Sequence, residues 1–214
     1  MRKIMVLFAL LGVFNLVQAQ YDPKALEILD EMSEKYMNLG AFKAQFNHSL
    51  ENATENINEE FKGEIVVKGE KFRLIMSDQE IYNNGKTVWT YLPDINEVNI
   101  DNYYPEEGDM TPSKIYSAYK KGYKYLYVEE LKEAGKTTQV VDLVPENAQK
   151  NPIYKIRLKI DKDSKHLRSW ELFDKSGNHY IYAITQFDPN VQINDAYFSF
   201  DATKHKGVEI IDLR

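Results

Sequence analysis

The chain contains no cysteine among its 214 residues. No disulfide staples the fold, so burial must stabilise it, and no thiolate serves as nucleophile or zinc ligand. A bacterial lipoprotein needs a cysteine at its cleavage site to carry acyl chains, and Ala19-Gln20 stands there instead. Histidine is scarce. His48, His166, His179 and His205 stand alone, in no His-Glu-x-x-His or similar metal-ligand spacing. No metal or cofactor is expected. A basic excess is also lacking. The formal charge is −6, and removing Arg2 and Lys3 takes it to −8. So acidic a chain is a poor partner for nucleic acid, whose binding rests on phosphate neutralisation.

Long apolar runs are missing after the first twenty residues. Arg2 and Lys3, the run Ile4 to Val17 and the small residues of Val17-Gln18-Ala19 have the form of a secretory signal, with cleavage expected after Ala19. That run is short for a membrane span. Residues 20–214 then form one exported, soluble domain of 195 residues. No internal repeat, low-complexity tract or linker divides it.

Catalytic motifs are absent too. Gly85-Lys86-Thr87 and Gly135-Lys136-Thr137 mimic the end of a phosphate-binding loop. The glycine such a loop needs five residues earlier is Glu80 or Glu130. No Gly-x-Ser-x-Gly elbow occurs. Asp161-Lys162-Asp163 lacks the glycine and glutamate of a calcium loop and reads as a turn. The expectation is a binding protein with no catalytic residues.

What is present is aromatic strand. Asp22-Pro23 opens a helix, and Ala25, Leu29, Met32, Tyr36 and Leu39 give it one apolar face before Gly40. The period then falls to two at Phe42, Ala44 and Phe46. Strands follow near 65–67, 72–76, 80–83, 87–92 and 97–100, with Asn52 to Glu60 a polar loop or long hairpin connection. Asn84-Gly85 predicts a type I′ hairpin. Thr111-Pro112 starts a second helix carrying Ile115, Tyr116, Tyr119 and Tyr123, with lysines 114, 120, 121 and 124 on and beyond it. Residues 125–131 read as strand or short helix. Strands resume at 138–143, 153–160, 167–173 and 180–187, and two short ones at 196–200 and 208–213 end the chain. The fold class is mostly β: about ten antiparallel strands, an N-terminal helix and a mid-chain helical insertion. A sheet this large curls, and helices across its open side enclose an interior.

Four segments, in order, carry a family resemblance. Asn84-Gly85-Lys86-Thr87-Val88-Trp89-Thr90-Tyr91-Leu92-Pro93 resembles the signature strand of the periplasmic outer-membrane lipoprotein carriers, the LolA family. Ala25 to Asp30 with Leu39 to Phe46 resembles its opening. Phe61 to Lys68 with Lys71 to Leu74 resembles its next hairpin, and Asp195 to Phe200 with Gly207 to Asp212 its end. The resemblance implies an open, strongly curved half-barrel with a helical lid over an apolar cavity. It implies a soluble periplasmic carrier that takes acylated lipoproteins from an inner-membrane ATP-binding-cassette exporter to the outer membrane, releasing them to an acceptor or to the membrane itself. A monomer is expected. The alternative is a lipid- or glycolipid-binding or envelope-stress-sensing module of the same fold. Cavity lining is expected from Phe42, Phe46, Phe72, Leu74, Met76, Trp89 and Tyr91 on the sheet, and from Leu29, Met32, Ile115, Tyr116 and Tyr119 on the helices. In one departure, the family arginine that follows the Val-Lys of the second strand and holds the lid shut is Gly69.

Overall fold

A computed structural model describes residues 21–104, 115–133, 135–147 and 149–214. The expected signal segment and the Thr111-Pro112 helix start lie outside them. One helix and twelve strands follow in order: α1 Pro23–Met37, β1 Phe42–Asn52, β2 Ile57–Lys68, β3 Lys71–Ile75, β4 Glu80–Asn83, β5 Thr87–Leu92, β6 Glu97–Asn102, β7 Tyr123–Glu133, β8 Lys136–Pro145, β9 Ile153–Asp161, β10 Leu167–Asp174, β11 His179–Pro189 and β12 Glu209–Asp212.

The strands form one sheet in the order β12-β6-β5-β4-β3-β2-β1-β11-β10-β9-β8-β7. Its two end strands do not pair with each other, so it is not closed into a barrel. All neighbours are antiparallel except β12 and β6, which run parallel. The all-antiparallel expectation fails there because the chain reaches β6 by a long crossing rather than a hairpin.

α1 lies across the strands. Asp22 caps it through backbone N–H groups of Lys24 and Ala25, and its other carboxylate oxygen accepts the Tyr127 N–H of β7. Lys24 stands 3.5 Å over the Tyr127 ring. At the far end Tyr36 meets Phe42 of β1 and Phe187 of β11, and its hydroxyl accepts the Leu167 N–H of β10 at 3.1 Å. The 15 residues of the helix are about 22 Å long. The six strands running across the sheet from β1 to β7 are about 24 Å wide. The helix therefore braces that half of the sheet from end to end, burying Ala25, Ile28, Leu29 and Met32 beneath it.

Several local expectations change. Of the two readings of Asn52 to Glu60, the long hairpin connection holds: β1 and β2 run through it as a long ribbon and turn at residues 53–56, where Asn56 takes φ +55°. At Asn84-Gly85 only Gly85 has a positive φ, +88°, so the turn is not type I′. The Asn84 side chain instead accepts the N–H groups of Lys86 and Thr87 and closes the turn itself. Residues 115–117 form a turn and Ala118–Lys120 a single 3-10 turn, and Tyr123 already belongs to β7. Asp195–Phe198 is also a 3-10 turn rather than a strand, because the Asn194 side chain caps it through the Ala196 N–H.

Two β-bulges set which side chains face α1. Gln45 pairs with Gln186 and Phe46 with Ile184, which leaves Thr185 unpaired. Leu167 pairs with Ile160 and Ser169 with Lys159, which leaves Arg168 unpaired. Each extra residue shifts the alternation by one. Phe187 and Ile184 thus share the inner face although three residues apart, as do Leu167 and Trp170.

Replacing Tyr36 with Phe removes the acceptor of a buried N–H. The Tyr36→Phe protein should be destabilised by about 1–3 kcal/mol. Urea unfolding checks this, and an unchanged midpoint would show that the Leu167 amide does not depend on the hydroxyl.

Candidate functional site

Past the C-terminal end of α1 the inner face is incompletely covered, and an apolar hollow of about 200 Å³ remains. Register explains its walls. Phe42 pairs with Val67 and Ala44 with Ile65; Ile65 pairs in turn with Leu74. These residues alternate with charged ones such as Lys43, Glu64 and Arg73, which point out. Phe42, Ala44, Phe46, Ile65, Leu74 and Met76 form one wall. Leu167, Trp170, Leu172, Tyr182, Ile184 and Phe187 form the other, and Tyr36 and Ile115 close the helix side.

The floor is aromatic and flat. Trp170 stacks on Tyr182 with centroids 4.7 Å apart and 7° between planes, and Tyr182 stacks on His48 at 4.4 Å and 13°. Burial pushes the His48 imidazole below its ordinary pKa, against an opposing pull from Asp78. Both ring nitrogens lack a hydrogen-bond partner. His48 therefore serves as a neutral flat ring. Phe46 lies over Gly63, where a Cβ would stand 2.3 Å from the ring. Only glycine lets the phenyl lie against the strand.

The expected lining residues separate into three places. Phe42, Phe46, Leu74, Met76 and Ile115 line the hollow. Leu29, Met32, Phe72, Tyr116 and Tyr119 join the packed core beside it. Leu29 and Met32 are fully buried under α1, and Tyr119 is held by a hydrogen bond to Asp30. Tyr116 stacks on Tyr36 with centroids 5.2 Å apart and 9° between planes. Trp89 and Tyr91 are elsewhere. Leu74 pairs with Ile81 and Ile81 with Thr90, whereas Trp89 pairs with Tyr82 and Tyr91 with Glu80. Both aromatic rings therefore sit on the outer face, opposite Phe72 and Leu74. The C-terminal segment covers them there: Phe200 meets Tyr82 and Tyr91, and His205 meets Tyr91 at 4.4 Å. Sequence reasoning missed the β10 and β11 wall. Its signal was the alternation Trp170/Leu172 and Tyr182/Ile184, but the bulge at Thr185 hides the place of Phe187.

The cations beside Gly69 also face outward. Gly69, at φ +57°, makes the β2–β3 turn, and Lys68 and Lys71 both reach Asp195 of the C-terminal segment, at 2.8 and 2.6 Å. Arg73 pairs with Glu80 at 2.8 Å and lies between the rings of Tyr82 and Tyr197. All three fasten the C-terminal segment to the back of the sheet, away from the hollow. The contacts that hold residues 115–120 onto α1 are an aromatic stack, Tyr36 with Tyr116, and a hydrogen bond from the Tyr119 hydroxyl to the Asp30 carboxylate.

No group of three His, Asp or Glu residues is placed to hold a metal ion among the described residues. Nor is any helix among them long and apolar enough to cross a membrane.

An open sheet braced, among the described residues, by one crossing α-helix, with an apolar hollow where the helix stops, places this chain among the helix-braced, open-sheet proteins. The particular family follows from comparison. The family model for outer membrane lipoprotein carrier protein LolA matches residues 37–201, and the chain belongs to that family. An outer-membrane lipoprotein carrier protein of Coxiella burnetii is 22% identical over 220 aligned positions, covering 99% of each chain. An uncharacterized conserved protein from Thermus thermophilus shares the fold at TM-score 0.58, with 14% identity over 88% of this chain and 99% of that one. MucB in the MucA/MucB complex of Pseudomonas aeruginosa aligns at TM-score 0.46, with 17% identity over 84% of this chain and 62% of that one.

Two results should follow from this geometry. A methyl group at residue 63 forces the Phe46 ring into the hollow, so Gly63→Ala should weaken uptake of a fluorescent fatty-acid probe several-fold while circular dichroism stays unchanged; undiminished uptake contradicts the placement of Phe46. The two lysines hold the Asp195 carboxyl down at about 2. Its ion pairs thus persist above the ordinary aspartate range and are lost only as pH falls through about 2. A carboxyl carbon NMR titration should find that midpoint, and it should rise towards the ordinary value in the Lys68→Gln/Lys71→Gln protein.

Proposed function

We propose that this protein is a soluble periplasmic carrier that shelters the acyl chains of lipoproteins and moves them from the inner to the outer membrane. The observation that carries this reading is the apolar hollow on the inner face of a LolA-family chain.

The physical need is large. Burying one methylene is worth about 0.8 kcal/mol, so a sixteen-carbon chain resists entering water by about 12 kcal/mol. A carrier must offer comparable apolar surface and still let go. The hollow as it stands, about 200 Å³, is below the roughly 300–1,000 Å³ of an ordinary small-molecule site. A full acyl chain therefore requires residues 115–120 to move off the Tyr36 end of α1. Breaking the Tyr36–Tyr116 stack and the Asp30–Tyr119 hydrogen bond offsets part of the gain from acyl burial. The empty protein thus covers its own site, and net affinity falls to a level that allows release. This replaces the arginine latch with contacts to α1. Loading needs outside work, supplied by an ATP-binding-cassette exporter; release runs downhill to a tighter acceptor or to the membrane.

Leu74 is the test residue, because it lies mid-wall and its neighbours on β3 point away. Leu74→Glu should abolish binding of an acylated peptide while leaving the fold intact, and wild-type affinity in that variant refutes the site. Depletion of the protein followed by membrane fractionation tests the transport step: lipoproteins should accumulate in the inner membrane. Their normal distribution, with acyl binding retained, would identify a lipid-binding or envelope-sensing module of the same fold instead.

A further inference from the structure

A second recess, of about 400 Å³, adjoins the hollow. The two share Leu167, Ile184 and Phe187 as walls, so only these side chains stand between an apolar space and a polar one. The polar side differs from the rest of this acidic protein. Its lining includes Lys136, Arg168, His166 and Thr185. Lys162 and Lys165 nearby are each paired with a glutamate. Lys136 and Arg168 make no ion pair among the described residues; the guanidinium gives one hydrogen bond, at 3.0 Å, to the Thr138 hydroxyl. The single carboxylate in the lining, Asp161, accepts the N–H groups of Asp163 and Ser164 and feels the Lys136 charge without an ion pair to it. One net positive charge remains in the lining, with Lys35 close enough to act on His166.

Two further features point the same way. Arg168 and Thr185, the unpaired residues of two of the sheet's four β-bulges among the described residues, both line this recess. A bulge is how a strand turns a side chain out of its ladder, and bulges concentrate beside functional sites. His166 packs its ring on Phe187 at 4.3 Å, and its Nε2 is buried with no partner. Phe187, on which that ring packs, lines both spaces.

Resting on the acyl-binding reading of the hollow, we propose that this recess holds the phosphate of an anionic amphiphile whose chain occupies the hollow. Two unpaired cations, with hydroxyl and imidazole groups between them, match a tetrahedral oxyanion with several acceptor atoms. The recess thus gives the protein a second ligand class beside lipoprotein acyl chains, a phosphate-bearing lipid selected by head as well as by tail.

Calorimetry of the full chain at low salt tests this with three probes: dioctanoylphosphatidate, dioctanoylglycerol and inorganic phosphate. The phosphatidate should bind at least tenfold more tightly than the glycerol of identical chains, and that preference should shrink in high salt. Lys136→Gln, on an exposed residue that the fold does not need, should erase most of the preference and leave dioctanoylglycerol binding unchanged. Arg168→Lys should keep part of it, and Arg168→Gln should lose it. Equal affinity for the two lipids overturns the phosphate site alone. Binding of neither lipid overturns the hollow and the recess together. Inorganic phosphate binding as tightly as the phosphatidate overturns the lipid head in favour of a free anion.

Discussion

Tyr36 is the contact on which the rest of the inner face depends. It ends the buried side of α1, and its ring touches Phe42 of β1, Phe187 of β11 and Tyr116 of the mid-chain segment. Its hydroxyl satisfies a backbone N–H of β10. One side chain thus joins the helix to three strands, supports the covering segment and forms part of the hollow's wall. Burial raises its phenol well above the ordinary range, so the group stays neutral at every physiological pH. Because α1 stops there, the strands beyond lack a helix above them. The hollow is the consequence of a helix too short to cover the sheet it braces.

The sheet has two working faces, separated by side-chain parity. Inward residues bury against α1 or face the hollow. Outward residues form cross-strand ion pairs, Asp142 with Arg157 and Glu171 with Lys159, and a platform for the C-terminal segment. Lys68, Lys71 and Arg73 are all committed to that platform. The covering segment is held without them, by the Tyr36–Tyr116 stack and the Tyr119–Asp30 hydrogen bond. A charged latch would resist opening more strongly in an apolar setting, where separated charges are costly. Strongly paired charges thus lie on the outer face, and aromatic contacts around Tyr36 on the inner one.

Much of this is legible from residues. The α1 stripe with its Asp22 cap, the period-two runs of β1, β3, β9, β10 and β11, and the turn at Gly69 follow from local rules that tertiary packing did not override. The long β1–β2 ribbon is legible only as one of two alternatives, because its tip is polar and so carries no hydrophobic period. The tail segment after Asn194 reads as strand from its alternating aromatics, yet an asparagine cap makes it a 3-10 turn. Trp89 and Tyr91 read as lining of the hollow because they are aromatic and alternate. Which face an alternating strand shows to the helix depends on its pairing partners, and the partner of Trp89 is Tyr82, not Leu74.

By itself the sequence determined the class of the molecule: an acidic, cysteine-free chain of amphipathic strands behind one capped helix, with no catalytic or metal-binding motif. Those properties are local or additive, so composition and periodicity carry them. Only the tertiary structure decided which rings meet in the hollow, that Arg168 and Thr185 leave their ladders, and that the lysines beside Gly69 bind the tail. Register and bulges settle these points. A one-residue shift in pairing exchanges the two faces of a strand, and no property of the strand taken alone records which shift occurs.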